Sequence, residues 1–335
     1  MKVRGFFQGL SWRSWWPRRG AAKAALLVLA FFGLSAADPE MDFVEGTAPF
    51  VLRAQDEVIP YRVFGLYVLP GEEVDLEAIA PDDRRFVLRA PAGAFTRPGR
   101  NRWLWTAPDI PGLYRLEIVH PVTVSTITLN VFVTVPLSRV QGGTLHGYRI
   151  DDYPAQPLNG LEVYNPPDGL IEVQPWYEDV PVSPHFTLGQ FLCKQAGGYP
   201  KYLVLDERLL RKLEVLLQKL NENGIPANGF HVMSGFRTPF YNRAIGNTTT
   251  YSIHQWGGAA DIFVDENGDS MMDDVNRDGR ITKEDALFLY RFVDEMQDDL
   301  WFKPYIGGLG AYNSTSAHGP YIHVDTRGFV AHWGA

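Results

Sequence analysis

Two histidines and an aspartate in the second half of the chain have the types and spacing of a metal site: His254 and Asp261 in one short stretch, His323 in a later one. Asp261 lies in the apolar run Ala260-Asp261-Ile262-Phe263-Val264, which reads as a buried strand. A carboxylate there is costly unless it is ion-paired, hydrogen-bonded or bound to a cation. Gly257-Gly258 lets the chain double back so that His254 faces Asp261. Strand alternation puts Tyr321, His323 and Asp325 on one face. Two imidazoles and a carboxylate are a donor set that zinc accepts, and a fourth position left open for water is the catalytic arrangement rather than the structural one. A buried ion pair or a hydrogen-bonded carboxylate is the plainer alternative.

Upstream stand Ser234-Gly235-Phe236-Arg237-Thr238-Pro239 with Asn242, and further back Ser183-Pro184-His185-Phe186. Taken together, these residues resemble the zinc D,D-peptidases of cell walls: D-alanyl-D-alanine carboxypeptidases, vancomycin-resistance dipeptidases and murein endopeptidases, with the hedgehog signalling domain as a relative. The family's His-x6-Asp and distant His match His254, Asp261 and His323, and its SGxR segment matches Ser234 to Arg237. The resemblance runs over roughly residues 183–333. It implies an α+β zinc peptidase domain, an antiparallel sheet with helices, that hydrolyses peptide bonds of peptidoglycan stem peptides by a zinc-activated water. Endopeptidase and carboxypeptidase, D,D and L,D specificity all stay open, because they depend on pocket shape.

Arg237, delivered by a strand end, would stabilise the developing oxyanion; a structural salt bridge is its other reading. Many family members carry Glu or Asp three residues before the last zinc ligand, and here that place is Pro320. Others have a histidine five residues before it, a place His318 occupies, which makes His318 the acid/base candidate against a plain surface histidine. Asp325 and Ser252 would support the ligands from behind, Asp325 by orienting an imidazole. The missing carboxylate also admits a non-catalytic, zinc-containing cell-wall-binding or scaffold protein.

Between the ligands, residues 274–285 follow a calcium-loop template: Asp274, Asn276, Asp278, the Arg280 backbone carbonyl and Asp285 as ligands, with Gly279 at the sharp turn. The loop resembles the repeat of dockerins, although its last position is Asp rather than Glu. It implies a structural Ca2+ in an insertion over residues 265–296, followed by a helix with Leu289, Phe292, Val293 and Met296 at helical spacing. Asp265, Asn267 and Asp269 begin a similar pattern without the glycine.

The elements that must position these residues are set out along 335 residues, 45% hydrophobic and 21% charged, enough for two globular domains. The formal net charge of -8 argues against nucleic acid as a partner. Residues 1–37 carry Arg4, Arg13, Arg18, Arg19 and Lys23 ahead of an apolar run, an export signal too short to span a bilayer comfortably. An uncleaved membrane anchor is the alternative; a twin-arginine reading of Arg18-Arg19 is weakened by Gly20-Ala21-Ala22. One cysteine, Cys193, leaves no intramolecular disulfide and no N-terminal lipidated cysteine. A periplasmic or other extracytoplasmic location follows, with peptidoglycan as partner and the membrane touched only through an uncleaved N-terminal segment.

Residues 40–138 read as an all-β, immunoglobulin-like sandwich, a spacer or binding module. Its clearest strand covers residues 126–135, where Ile127, Leu129, Val131, Val133 and Val135 alternate with mostly polar neighbours on a half-buried ribbon. Residues 139–182, dense in turn formers, read as a connector, and 183–335 as the peptidase domain. There, Asp206 caps a helix with Leu209, Leu213, Leu216, Leu217 and Leu220 on one face, ended by Asn223-Gly224. Phe230-His231-Val232-Met233 is a strand leading to Arg237, and Thr238-Pro239 opens a short helix.

Overall fold

Alternating apolar residues punctuated by Pro-Gly turns give nine strands over the first part of the computed structural model, which describes residues 46–335 apart from Asp56 and Asp83. They are β1 (Thr47–Ala54), β2 (Glu57–Tyr61), β3 (Val63–Val68), β4 (Glu73–Ile79), β5 (Val87–Arg89), β6 (Ala94–Gly99), β7 (Arg102–Thr106), β8 (Gly112–Val119) and β9 (Thr126–Val133). One sheet has the order β2-β1-β4-β7-β6, the other β3-β9-β8-β5. Phe50, Leu52, Leu76, Trp103 and Trp105 of the first and Phe64, Leu116, Ile118, Ile127 and Leu129 of the second are buried in one cluster. The Trp105 indole N–H donates to the Ala92 carbonyl at 3.0 Å, so its ring is buried without stranding a donor. The export segment read in residues 1–37 lies outside the described residues. No helix among the described residues is long and apolar enough to cross a membrane.

Strand β9 differs from the half-buried ribbon expected. Ile127, Leu129, Val131 and Val133 face the core, but Asn130 and Phe132 on the opposite face are buried too. The segment read as a connector covers them: Asn130 Nδ2 donates to the Pro181 carbonyl at 2.8 Å, and Tyr177 stands edge-on to Phe132 at 6.3 Å. Strand β10 (Val135–Pro136) leads into that segment, which holds β11 (Thr144–Leu145), β12 (Tyr148–Arg149) and β13 (Gly169–Val173) and ends in β14 (Pro181–Ser183). The described residues from Gly46 to Ala335 belong to one compact unit. A single apolar cluster runs from Leu129 through Val182 and Phe186 to Leu213 and Ile262, so architecture changes along the chain without a break in the core.

After β15 (Phe186–Thr187) and β16 (Lys201–Leu203) comes helix α1 (Glu207–Glu222). Asp206 caps it as expected, its Oδ1 accepting the Arg208 N–H at 2.9 Å. The five leucines are buried, and so are Lys212 and Glu214 between them. A third large sheet, with the order β17-β18-β20-β19-β21, is built from β17 (Phe230–Ser234), β18 (Ala259–Val264), β19 (Gly308–Tyr312), β20 (Tyr321–Asp325) and β21 (Ala331–Trp333). Its pairs are antiparallel except β19 with β21. Helices α2 (Pro239–Ala244) and α3 (Lys283–Met296) complete this part, with Thr238 Oγ1 capping α2 through the Tyr241 N–H at 3.0 Å. The chain is thus a mixed, sheet-rich protein with few helices.

Candidate metal centre

Cross-strand register brings the chemistry together. In one row across the β17-β18-β20-β19-β21 sheet stand Ser234 opposite Asp261, Asp261 opposite His323, His323 opposite Gly310 and Gly310 opposite Trp333. His254 enters from the short turn Ile253–Trp256, which Gly257 ends in the left-handed conformation at φ 70°. A Cβ on Gly257 would stand 2.2 Å from the Val204 carbonyl oxygen, so glycine is required by both conformation and space. At Gly310 a Cβ would stand 2.2 Å from Trp333 Nε1; its absence lets the indole lie beside His323, with ring centroids 5.0 Å apart.

His254, Asp261 and His323 are all buried, and their ligand atoms lie within 4.8 Å of one another. His254 Nε2 is 3.1 Å from His323 Nδ1 and 3.3 Å from Asp261 Oδ1, and His323 Nδ1 is 3.0 Å from that oxygen. The far nitrogen of each ring is occupied: His254 Nδ1 faces the Gly235 carbonyl at 2.7 Å, and His323 Nε2 faces Asp325 Oδ2 at 3.0 Å. The Gly235 carbonyl only accepts, so His254 Nδ1 carries that ring's proton and Nε2 turns a lone pair inward. His323 lies between two carboxylates: with one proton, on Nε2, its Nδ1 presents a lone pair to Asp261, and with two protons the ring is itself the cation there. Three acceptors this close need a cation or an extra proton between them.

The electrostatics agree. Burial alone would lift the Asp261 carboxyl, but His254 and His323 hold it well below the usual range. Burial lowers His254. It acts the same way on His323, where hydrogen bonds to Asp261 and Asp325 win and raise the imidazole, the direction expected of a site that holds positive charge. A tetrahedral ion with ligands at about 2.0–2.1 Å has ligand edges of about 3.3 Å, and an octahedral face about 3.0 Å. The observed edges fit either, so zinc fits the three residues.

Arg237 is 13% exposed and ion-paired through Nη2 to Asp261 Oδ2, while its Nε donates to Ser234 Oγ at 2.9 Å. Arg237 thus forms the salt bridge of its plainer reading, to Asp261, and also lines the cleft. Asp325, fully buried, orients His323; it accepts the Gly308 N–H at 2.6 Å and pairs with Arg327. Burial opposes its ionisation, but the His323 hydrogen bond and Arg327 hold it far below the usual carboxylate range. Ser252 lines the cleft and stands at the N-cap position of the turn bearing His254, its backbone carbonyl accepting the Gln255 N–H at 2.9 Å and its side chain making no cap. His318 is not among the lining residues; half-buried, it stands edge-on to Tyr321 at 5.0 Å, with Nδ1 2.8 Å from the Gly319 carbonyl.

The cleft over the triad, about 500 Å³, is walled by Tyr251, Tyr312, Tyr321, Trp333 and Arg327. Tyr321, which strand alternation places on the face of His323 without giving it a role, stands here in the wall of the cleft. Its ring stacks on Tyr312 at 4.6 Å, and its hydroxyl has no hydrogen-bond partner among the described residues. Burial, then the Asp261 charge, raises the phenol, which stays a donor. Its place two positions before His323, on the same strand face, was the available signal.

The acidic insertion is built differently. Asp274 accepts the Asp278 and Gly279 N–H groups, Asn276 accepts that of Asp278, and Asp278 that of Arg280. Asp285 accepts from Asn276 and Thr282, and it completes the capping box of α3. The preceding loop repeats this frame: Asp265 accepts from Asp269 and Ser270, Asn267 from Asp269, and Asp269 from Met271. Both loops also have positive φ at matching places, Gly268 and Arg277, then Ser270 and Gly279. The glycine expected as a requirement is replaced by a serine in the same conformation. The repeat was legible as DENGDSMMD followed by DVNRDGRIT.

Fold and site thus define a sheet-rich protein with a buried His-Asp-His donor cluster under a cleft. No family model and no curated protein matches the sequence. Among solved structures, an LD transpeptidase in complex with imipenem is similar at 15% identity and a TM-score of 0.16, over 25% of this chain and 39% of that one.

Proposed function

We propose that the chain is an exported zinc metallopeptidase that hydrolyses peptide bonds in peptidoglycan stem peptides. The observation that carries this reading is the convergence of two imidazole nitrogens and a carboxylate oxygen at 3.0–3.3 Å, with the His254 proton held on the outer nitrogen by the Gly235 carbonyl. The substrate class rests on the resemblance of His254, Asp261, His323 and the SGFRTP segment to the zinc D,D-peptidases. That resemblance also supports reading the third large sheet and its helices as their fold, and the two-sheet region as immunoglobulin-like. Zinc held by the three residues would supply Lewis acidity and lower the pKa of water to about 7.

The remaining work falls to side chains. Asp325 and the Gly235 carbonyl fix the ligand tautomers, and Arg237 holds the second oxygen of Asp261. Its other Nη, with no partner among the described residues, and the Tyr321 hydroxyl are the donors available to a developing oxyanion. His318 is the proposed acid/base: with its Nδ1 proton on the Gly319 carbonyl, Nε2 is left to accept. In the acidic insertion, Asp274, Asn276, Asp278, Arg280 and Asp285 are proposed to hold a structural Ca2+.

Asp261 is the one carboxylate among the residues lining the cleft, and this favours a second reading, a wall-binding protein that uses zinc for stability. Incubation with purified murein sacculi, with and without a chelator, separates the two. New peptide termini by mass spectrometry, lost with chelator, support the peptidase. Sacculus binding with intact peptides would replace it with the binding protein.

A further inference from the structure

The cleft over the metal centre holds a second guanidinium that the chemistry derived above leaves idle. Besides the two imidazoles, its charged lining residues are Asp261, Arg237 and Arg327. Asp261 is turned to the imidazoles and to Arg237. Arg327 therefore has no counterion in the wall; its partner, Asp325, is wholly buried behind it.

Arg327 stands just past the end of β20, and its guanidinium is held in one orientation. Nε donates to Asp325 Oδ1 at 3.0 Å and to Oδ2 at 2.9 Å, and Nη2 donates to Oδ2 at 2.5 Å. Cζ lies over the Trp333 ring at 5.4 Å and over the Phe329 ring at 5.6 Å. These contacts occupy the Nε edge, whereas Nη1 has no partner among the described residues. The end-on fork of Nη1 and Nη2 is thus open, and such a fork takes a carboxylate through two parallel hydrogen bonds. Its distance from the metal centre decides what can bear that carboxylate. Asp325 Oδ2 touches Arg327 Nη2 and also His323 Nε2, the latter at 3.0 Å, so one oxygen separates the guanidinium from a ligand imidazole. Trp333, itself in the wall, spans the same gap with its ring 5.0 Å from that of His323. One residue, about 3.5 Å of chain, bridges a carbonyl at the metal and a carboxylate at the fork.

We propose that Arg327 binds a free carboxylate on the leaving residue of the substrate, directly past the scissile bond. A chain end supplies that group, and so does a cross-link made through the side-chain amine of a diamino diacid. The interior of a peptide does not, because there the chain continues as a neutral peptide group. The inference rests on the peptidase reading and adds to it the kind of bond that is cut.

The test gives the zinc-loaded protein acetylated stem peptides ending in Lys-D-Ala-D-Ala or Lys-D-Ala, each as the acid and as the C-terminal amide. Hydrolysis is followed by mass spectrometry, and calorimetry measures binding of the matching analogues in which a methylene replaces the scissile nitrogen. A bidentate bond to a charged partner is worth roughly 10²-fold, so the acid should exceed its amide by about that factor in kcat/KM and in affinity. Arg327→Gln should bring the ratio close to one, and Arg327→Lys should restore part of it. An Arg327 that merely braces Asp325 would slow both forms alike and leave the ratio standing. A cross-linked muropeptide dimer, with the carboxylate beside the scissile bond free or amidated, separates the cross-link from the chain end as its source. Equal treatment of acid and amide in turnover and affinity, or a preference that survives Arg327→Gln, overturns the inference and leaves the peptidase reading intact. Tighter binding of the acid with no peptide cut keeps Arg327 in its role and sinks the peptidase reading instead. Neither binding nor cleavage of any form overturns both.

Discussion

The His-Asp-His cluster and the acidic insertion between its members both gather metal-binding side chains, but they balance charge in opposite ways. In the cluster, strands hold acceptor against acceptor in a buried row, and nothing in the protein stands between them. In the insertion, backbone N–H groups already fill the carboxylates, and most of the loop is exposed. A cation or an extra proton is thus demanded by the rigid sheet, whereas the turns already satisfy their carboxylates with backbone N–H groups. Metal removal should reorganise the cleft, whereas calcium should add modestly to a loop that is already folded.

The largest effect that would sharpen this contrast is expected at Arg237, since loss of its guanidinium frees a ligand oxygen. Arg237→Ala should weaken metal binding by roughly 10–100-fold in a chelator competition. Turnover of murein peptides at saturating metal should fall by roughly 10²–10³. An unchanged affinity would mean that the sheet alone holds Asp261. Next come the two groups beyond the ligands. His318→Ala should lower turnover by roughly 10², and Tyr321→Phe by roughly tenfold, each with metal content intact. A Tyr321→Phe enzyme at the parent rate would remove that hydroxyl from the reaction.

The sheet side also carries a buried cation. Lys212 donates to the Asp325 carbonyl at 2.7 Å, and burial brings its ammonium down to about 8. An unfolded lysine titrates near 10.4, so between about pH 8 and 10.4 the unfolded chain holds more protons and rising pH favours the fold. Chemical denaturation should show stability rising across that window by at most about 3 kcal/mol, a rise absent in Lys212→Met. The smallest effect is expected in the insertion. Calcium at a hundredfold excess over Kd adds about 2.7 kcal/mol, and less if the loop's own bonds must give way. Thermal melting should show a rise of a few degrees that Asp274→Ala with Asp278→Ala abolishes. Collapse of the fold on calcium removal would erase the distinction between the two sites.

The sequence made the triad legible because its residue types are specific and its spacing short, and Asp206, Thr238 and Leu209 to Leu220 followed from local rules of capping and periodicity. What escaped it depends on contacts between distant segments. Asn130 and Phe132 looked exposed until Pro181 and Tyr177 covered them. The row from Ser234 to Trp333 is a matter of register, so neither the bracing of Asp261 by Arg237 nor the role of Gly310 could be read from one strand. Lys212 is a different case: it is buried beside the leucines of α1, and neither capping nor periodicity marks a lysine as buried. The nine-residue repeat was also visible, but it was discounted for a glycine that the backbone at Ser270 does not need.

Metal analysis of the purified protein and its ligand variants tests the central claim most directly. The parent should bind one zinc per chain, and His254→Ala, Asp261→Ala and His323→Ala should each lose it while α1 and the two-sheet region keep their folded signal by circular dichroism. Full metal retention in two of the three variants, or a parent that binds no zinc above pH 7, would contradict the account and leave the cluster as a buried ion pair.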